Sequence, residues 1–369
     1  MNSRTIKWLA IAAVALLALT FIVERSNQSD TVTGGELLLP GLKDRLNDVN
    51  KLVVTGSGGV VTVQRDGDHW SVLEKYGFAA NTGKLREALL ALADARKLEQ
   101  KTSNPERLGQ LGLDDPEEGN GRRVDVHGEG FSHSLIIGNE AQSTNRYVRL
   151  ADDNQAWLID KNPDLADSAA GWLVPELLDV DASRIRSVTV THNDGESIHL
   201  NKAESADSNF VVSEIPEGRE LSYATVANGI AGVLKGLTLE DVRQAADGEP
   251  VSTSVFTTFD GLVVTVRRYS EKASAEGDGD GDGEEEFWFT IGAAYDAPVV
   301  AAEAASESDE VAIDDTTDDE PARKSTEPDA ESMAASINAQ HAGWQYRIPE
   351  YKANLIARRW NDILKAEEE

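Results

Sequence analysis

The sequence predicts an α+β protein: one N-terminal transmembrane helix, then two similar modules, each a largely antiparallel sheet with one principal packed helix. Three observations predict this. Residues Trp8 to Val23 form an unbroken run of apolar residues and Thr. A hairpin–strand–helix order occurs twice. Each half also carries an Ala-Gly-Trp segment, Ala170-Gly171-Trp172 and Ala342-Gly343-Trp344.

The apolar run comes after Arg4 and Lys7 and before Glu24, a flank that orients residues 1–7 toward the cytoplasm and exports the chain beyond the run. Its 16 residues fall between a signal-peptide core and a minimal spanning helix. Cutting at Ala13-Val14-Ala15 would strand "LLALTFIV" in water, so the run 8–23 reads as a retained anchor. Residues 24–46 read as a linker.

The first module is expected over 47–180. "NKLVVTGSGGVVTVQRDGDHWSV" alternates apolar and polar residues around Gly58-Gly59, which predicts a hairpin and then a third strand near Trp70. A helix should follow from Asn81 or Thr82, with Leu85, Leu89 and Leu92 on one apolar face. The second module is expected over 181–369. "RIRSVTVTHNDGESIHLNK" is again a hairpin, and "NFVVSEI" its third strand. The helix should start at Ser222 and turn Val226, Ile230, Val233 and Leu237 inward. Equating Trp172 with Trp344 makes the offset between halves grow from 136 residues at Val53 and Thr189 to 172, so insertions must lie late in the second half. The stretches 271–286 and 302–332 supply them and read as disordered acidic inserts.

The chain has 369 residues, a net charge of −30 and no cysteine. Between Glu271 and Glu331 lie 21 acidic and 3 basic residues, so that window holds 18 of the 30 net negative charges. With no basic patch, nucleic acid is not an expected partner. Without cysteine there is no disulfide and no thiolate chemistry.

"EGDGDGDGEEE" is the one stretch that resembles a metal loop. Counting from Asp278, the residues Asp280, Asp282 and Gly283 suit a calcium loop, but its closing position is Phe289 where a bidentate glutamate is required. The histidines His127 and His133 share one hairpin and His192 and His199 another; if the first turn centres on Glu129, Asp125 faces His133. That is two ligands per hairpin where a metal needs three or four. No nucleophile elbow or zincin helix occurs, and Gly83-Lys84 is followed by leucine, so it opens a helix and makes no phosphate loop. No catalytic, cofactor-binding or metal-ligating residue is therefore assigned, and no cofactor is expected.

The stretches "LLLPGLKDRLNDVNKLVVT", "GDHWSVLEKYGFAANTGKLREALLALADARKLE", "ERLGQLGLDDPEEG", "SLIIGNEAQSTNRYVRLADDNQAWLID" and "WLVPELLDVDASRIRSVTV" together resemble the bacterial family called domain of unknown function 4340. The resemblance covers most of 36–240 and is looser beyond. It carries over no catalytic residue, since the family has none established. Some relatives are encoded beside, or joined to, components of ABC-type export systems similar to the gliding-motility transporter, which implies an accessory role.

The expectation is a non-enzymatic, membrane-anchored periplasmic interaction module, an auxiliary component of an ABC-type transport system. The alternative is an envelope enzyme or solute-binding protein with its site between the modules. The expected partner is a membrane protein, with ABC-type transporter subunits the candidates. The expected location is the inner membrane, single-pass, with the bulk of the chain periplasmic.

Overall fold

The computed structural model describes residues 35–142, 144–272, 285–297 and 329–366. The expected anchor lies outside these residues. Among the described residues no helix is long and apolar enough to cross a membrane. The chain divides into two compact units, Met1–Val174 and Pro175–Glu369.

In the first unit, strands β1 (Val49–Gly56), β2 (Gly59–Asp66), β3 (His69–Val72) and β4 (Phe78–Ala79) lead into helix α1 (Thr82–Asp94) and strand β5 (Lys97–Gln100). Strands β6 (Arg122–Gly128), β7 (Phe131–Gln142), β8 (Asn145–Leu150) and β9 (Trp157–Ile159) come next. They form one antiparallel sheet in the order β4-β3-β2-β1-β6-β7-β8-β9-β5. The alternation in the sequence sets the register: Leu52 pairs with Val63 and Val54 with Val61, and all four are buried. Val126 and Val124 on β6 continue the same apolar face beside Leu52 and Val54.

Helix α1 begins where Asn81 accepts a hydrogen bond from the Lys84 N–H at 3.0 Å, which satisfies one of the helix's orphan donors. Leu85, Leu89 and Leu92 are buried with Ala88 and Ala93. Residues 36–46, expected as linker, belong to this unit instead. Leu38, Leu39 and Leu42 are buried, and the Leu38 N–H donates to the Ala95 carbonyl at 2.8 Å. "LLLPGL" is too apolar to stay in water, which is the physical reason for the difference.

After β5 the chain makes a 3-10 turn, Pro105–Leu111, and a loop to β6. Leu108 and Leu113 pack there against Ile136 and Ala156. Gly121 permits the closest approach in this region, because a Cβ there would stand 1.8 Å from the Asp114 carbonyl oxygen.

The second unit contains a two-stranded ribbon of β10 (Glu176–Leu178) and β14 (Leu237–Thr238). Its main sheet comprises β11 (Ile185–His192), β12 (Ser197–Asn201), β13 (Val211–Ser213), β15 (Asp241–Gln244), β16 (Ser252–Thr258), β17 (Leu262–Lys272), β18 (Glu285–Tyr295) and β19 (Trp344–Arg347). The order is β13-β12-β11-β16-β17-β18-β19-β15. Strand for strand this is the order β3-β2-β1-β6-β7-β8-β9-β5 of the first sheet, which adds β4 at its edge.

The second unit's helices are α2 (Val226–Ala231), α3 (Ala330–His341), α4 (Glu350–Ile356) and α5 (Trp360–Ile363). The helix expected from Ser222 is thus only α2, and it has no side-chain cap. Gly229, Gly232 and Gly236 weaken helix propagation there, and Gly236 takes φ +55, so the chain turns and delivers Leu237 to β14. The inward residues Val226, Ile230, Val233 and Leu237 are nevertheless buried. Lys352 of α4 holds the turn by donating to the carbonyls of Val233, at 2.7 Å, and Lys235.

Two further expectations are corrected. Trp344 opens β19, whose place in its sheet is that of β9, which opens at Trp157. Trp172 lies in a 3-10 turn after β9, so the two Ala-Gly-Trp segments are not equivalent. The matching triplets occur in unlike surroundings. The acidic tracts are also shorter than expected at their ends. Lys272 pairs with Glu285 and Glu271 with Glu286 in the β17–β18 ladder, and Asp329 caps α3 through the Ser332 N–H at 2.7 Å. The remainder of both tracts lies outside the described residues.

Candidate binding groove

A groove of about 600 Å³ opens in the first unit between α1, the β2–β3 hairpin and the 3-10 turn Lys43–Asp48 that precedes β1. Helix α1 supplies one wall, with Leu85 and Leu89 buried and Leu90 half-buried. The opposite wall comes from Arg65 and Trp70, which face each other across β2 and β3. Val49 at the start of β1 and Leu46 in the turn close the third side.

Three cations line this groove, and among the described residues no carboxylate does. Their engagement differs. Lys43 Nζ lies 2.8 Å from Asp94 Oδ1 and ties the turn to the C-terminal end of α1. This hydrogen bond is the main reason the Asp94 carboxyl is held below the usual carboxylate range. Arg65 donates to the Gly67 carbonyl at 2.8 Å, and its ion pair with the exposed Asp68 is a loose 3.8 Å. The side chain of Arg86, exposed on α1, makes no hydrogen bond or ion pair among the described residues. The groove therefore joins leucine and tryptophan walls to cations from three elements, of which Arg86 alone has no ion pair among the described residues.

A second cleft of about 250 Å³ lies beside Gly121 and Gly138 and behaves differently. Its Arg146 donates to Glu140 at 2.8 Å, to Asn162 at 2.5 Å and to the Gly138 carbonyl at 3.0 Å. Its Arg122 pairs with Asp167. The cations there are neutralised from within, so the cleft has little left to offer an anion.

The residues weighed from sequence sit elsewhere. Phe289, at the closing position of the calcium-like loop, is buried in β18, and residues 278–283 lie outside the described residues. Asp125 does not face His133. Gly130 takes φ +72, the hairpin turn is Glu129-Gly130, and Asp125 pairs with Ser134 while His133 pairs with Val126. A one-residue shift of register moves His133 to the other face. There its ring packs 5.6 Å from Phe131, and burial first, then Arg45, lowers its pKa. His199 contacts Thr189 and Ser197, and His192 contacts the Arg358 carbonyl. Among the described residues no group of three or more His, Asp or Glu is placed to hold a metal ion.

Sequence reasoning missed the groove, although its apolar wall was visible as the Leu85–Leu89 face. Lys43, Arg65 and Arg86 are far apart in the chain and carry no motif. The absence of an acid at Arg86 becomes visible only once the fold is known.

No curated protein and no solved structure matches this chain. A family model does match, over residues 70–253, from the third strand of the first unit into β16 of the second. The chain belongs to the family described as Domain of unknown function (DUF4340).

Proposed function

We propose that the chain is a non-enzymatic, membrane-anchored module facing the periplasm, and that it recognises a membrane-protein partner through the α1 groove. Residues 8–23 would be the single anchor, and the partner a subunit of an ABC-type transport system. The two units would be a duplicated module, a reading supported by their common strand order. The observation that carries the functional reading is the chemistry of the groove wall. Arginine does not give up its proton in proteins, and leucine and tryptophan offer surface rather than chemistry, so the groove is suited to holding an anion beside an apolar group. Tethering then raises the effective concentration of this surface near other membrane proteins.

Co-purification from native membranes tests this reading. The full chain should bring down one membrane protein, and deleting residues 302–332 should leave the association intact. The double variant R86E/L90E should lose it without unfolding, since both positions are at least partly exposed. Turnover of an envelope substrate by the purified chain alone, abolished by changing a single acid, would contradict the proposal.

A further inference from the structure

Ser252 of β16 and Arg268 of β17 stand directly opposite each other, and Arg268 is in turn opposite the buried Phe289 of β18, so all three share one face of the second sheet. Among the described residues three buried side-chain polar atoms have no hydrogen-bond partner: Ser252 Oγ, Arg268 Nε and Trp288 Nε1. Two of the three thus belong to one cross-strand pair. Buried polar atoms are ordinarily bonded, and two unpartnered donors at one place call for a shared acceptor.

We propose that this pair binds an oxyanion, a phosphate or carboxylate group, one oxygen of which accepts from both Arg268 Nε–H and Ser252 Oγ–H. The site lies in the second unit and does not depend on the α1 groove. Opposed side chains in an antiparallel ladder have Cβ atoms about 5 Å apart, within reach of one shared oxygen. Charge selects the occupant. Ser252 is only 2% exposed and offers a hydroxyl, whereas the guanidinium of Arg268 makes no hydrogen bond or ion pair among the described residues. A neutral acceptor would satisfy both orphan atoms and leave that charge uncompensated. An oxyanion supplies the acceptor and the counter-charge together, which a half-buried cation requires.

The surroundings fit such a ligand. The guanidinium carbon lies 3.4 Å from the centre of the Phe287 ring. Stacking covers a flat face of the guanidinium and leaves its in-plane N–H groups able to bond. It also holds that plane before a ligand arrives, so less side-chain freedom is lost on binding. Only Nε is fully buried; the two outer nitrogens are unpartnered without being so, and the ligand's other oxygens can reach them from solvent. Burial lowers the Arg268 pKa, with Glu285 opposing this and Arg359 adding to it. Arg359 is itself paired with Asp194 and Glu196 and does not compete for the ligand.

Calorimetric titration of the full chain in detergent with inorganic phosphate, and separately with acetate, at fixed ionic strength tests the site. Binding should saturate at one equivalent. Arg268→Gln and Ser252→Ala should each weaken it about tenfold or more, the loss expected for a hydrogen bond to a charged group. Arg268→Lys keeps the charge without the planar fork and should weaken it too. Ser252→Ala removes a single buried oxygen, so the test survives if the Arg268 variants fail to fold by circular dichroism. The anion held more tightly names the group, and competition by phosphatidylglycerol vesicles would name a lipid headgroup as its source. Binding of neither anion, or binding unchanged in a folded Arg268→Gln or Ser252→Ala variant, would overturn the inference.

Discussion

Arg149, only 3% exposed, reaches Asp115 with Nη2 3.0 Å from Oδ2, and its remaining donors serve the carbonyls of Leu113 and Ala151 at 2.8 Å each and of Leu150 at 3.3 Å. One guanidinium from β8 thereby closes the loop that leads to β6. A buried cation is tolerable only with this many partners. Arg149→Met should cost about 2–4 kcal/mol in urea denaturation, because it leaves three carbonyls and the loop unheld. Asp115→Asn should cost less, since that carboxylate is half-exposed. Equal losses would show that the ion pair, and not the carbonyl contacts, holds the loop.

Gly121 tests the same loop from the other side. An alanine Cβ would sit 1.8 Å from the Asp114 carbonyl oxygen and 2.8 Å from Ile136 Cγ2, and backbone cannot yield that distance cheaply. Gly121→Ala should lower the melting temperature more than Gly130→Ala, where a Cβ meets nothing and only the φ of +72 is strained. Calorimetry of the two variants checks the order.

Much of this fold was legible in the sequence. The pairs Leu52–Val63 and Val54–Val61 follow from alternation around Gly58-Gly59 and the Leu85–Leu89–Leu92 face from helical spacing, while the sequence left the cap between Asn81 and Thr82 and the structure assigns it to Asn81. Where the sequence misled, the cause was local. The glycines of "NGIAGVLKG" end a helix whose apolar spacing continues past it, and a two-residue turn displaced His133 by one position. The groove was not legible, because three elements distant in the chain build it.

His341 should make the second unit sensitive to acid. Its Nδ1 lies 2.8 Å from the Tyr346 hydroxyl and its Nε2 3.2 Å from the Leu177 carbonyl, and burial lowers its pKa from the ordinary 6.5. With Nε2–H donating to the carbonyl, Nδ1 accepts from the phenol and the ring is neutral in the fold. The unfolded chain takes up a proton near pH 6.5 and the folded chain does so only at lower pH. Stability is therefore fully present above that pH and declines as pH falls below it. Urea midpoints between pH 5 and 8 should show this slope, and His341→Gln should flatten it. An unchanged slope in the variant would place the acid sensitivity elsewhere.

The β17–β18 ladder is paired up to Lys272 and Glu285, so the strands do not depend on the acidic stretch joining them. Deleting Gly277–Gly283 should change stability by less than about 1 kcal/mol, the scale of loop-closure entropy. Adding calcium should leave the melting temperature unchanged in either form. A calcium-dependent rise that disappears with the deletion would make the stretch a metal site.

The central claim is that the α1 groove is the recognition surface, and photo-cross-linking from within it is the most direct measurement. A photoreactive residue in place of Leu90, in the full chain in native membranes, should form an adduct with one membrane protein. The adduct should vanish when Arg86→Glu is added, and the same probe at Lys235 should not form it. An adduct of equal yield from Lys235, or one from Leu90 that survives Arg86→Glu, would contradict the account.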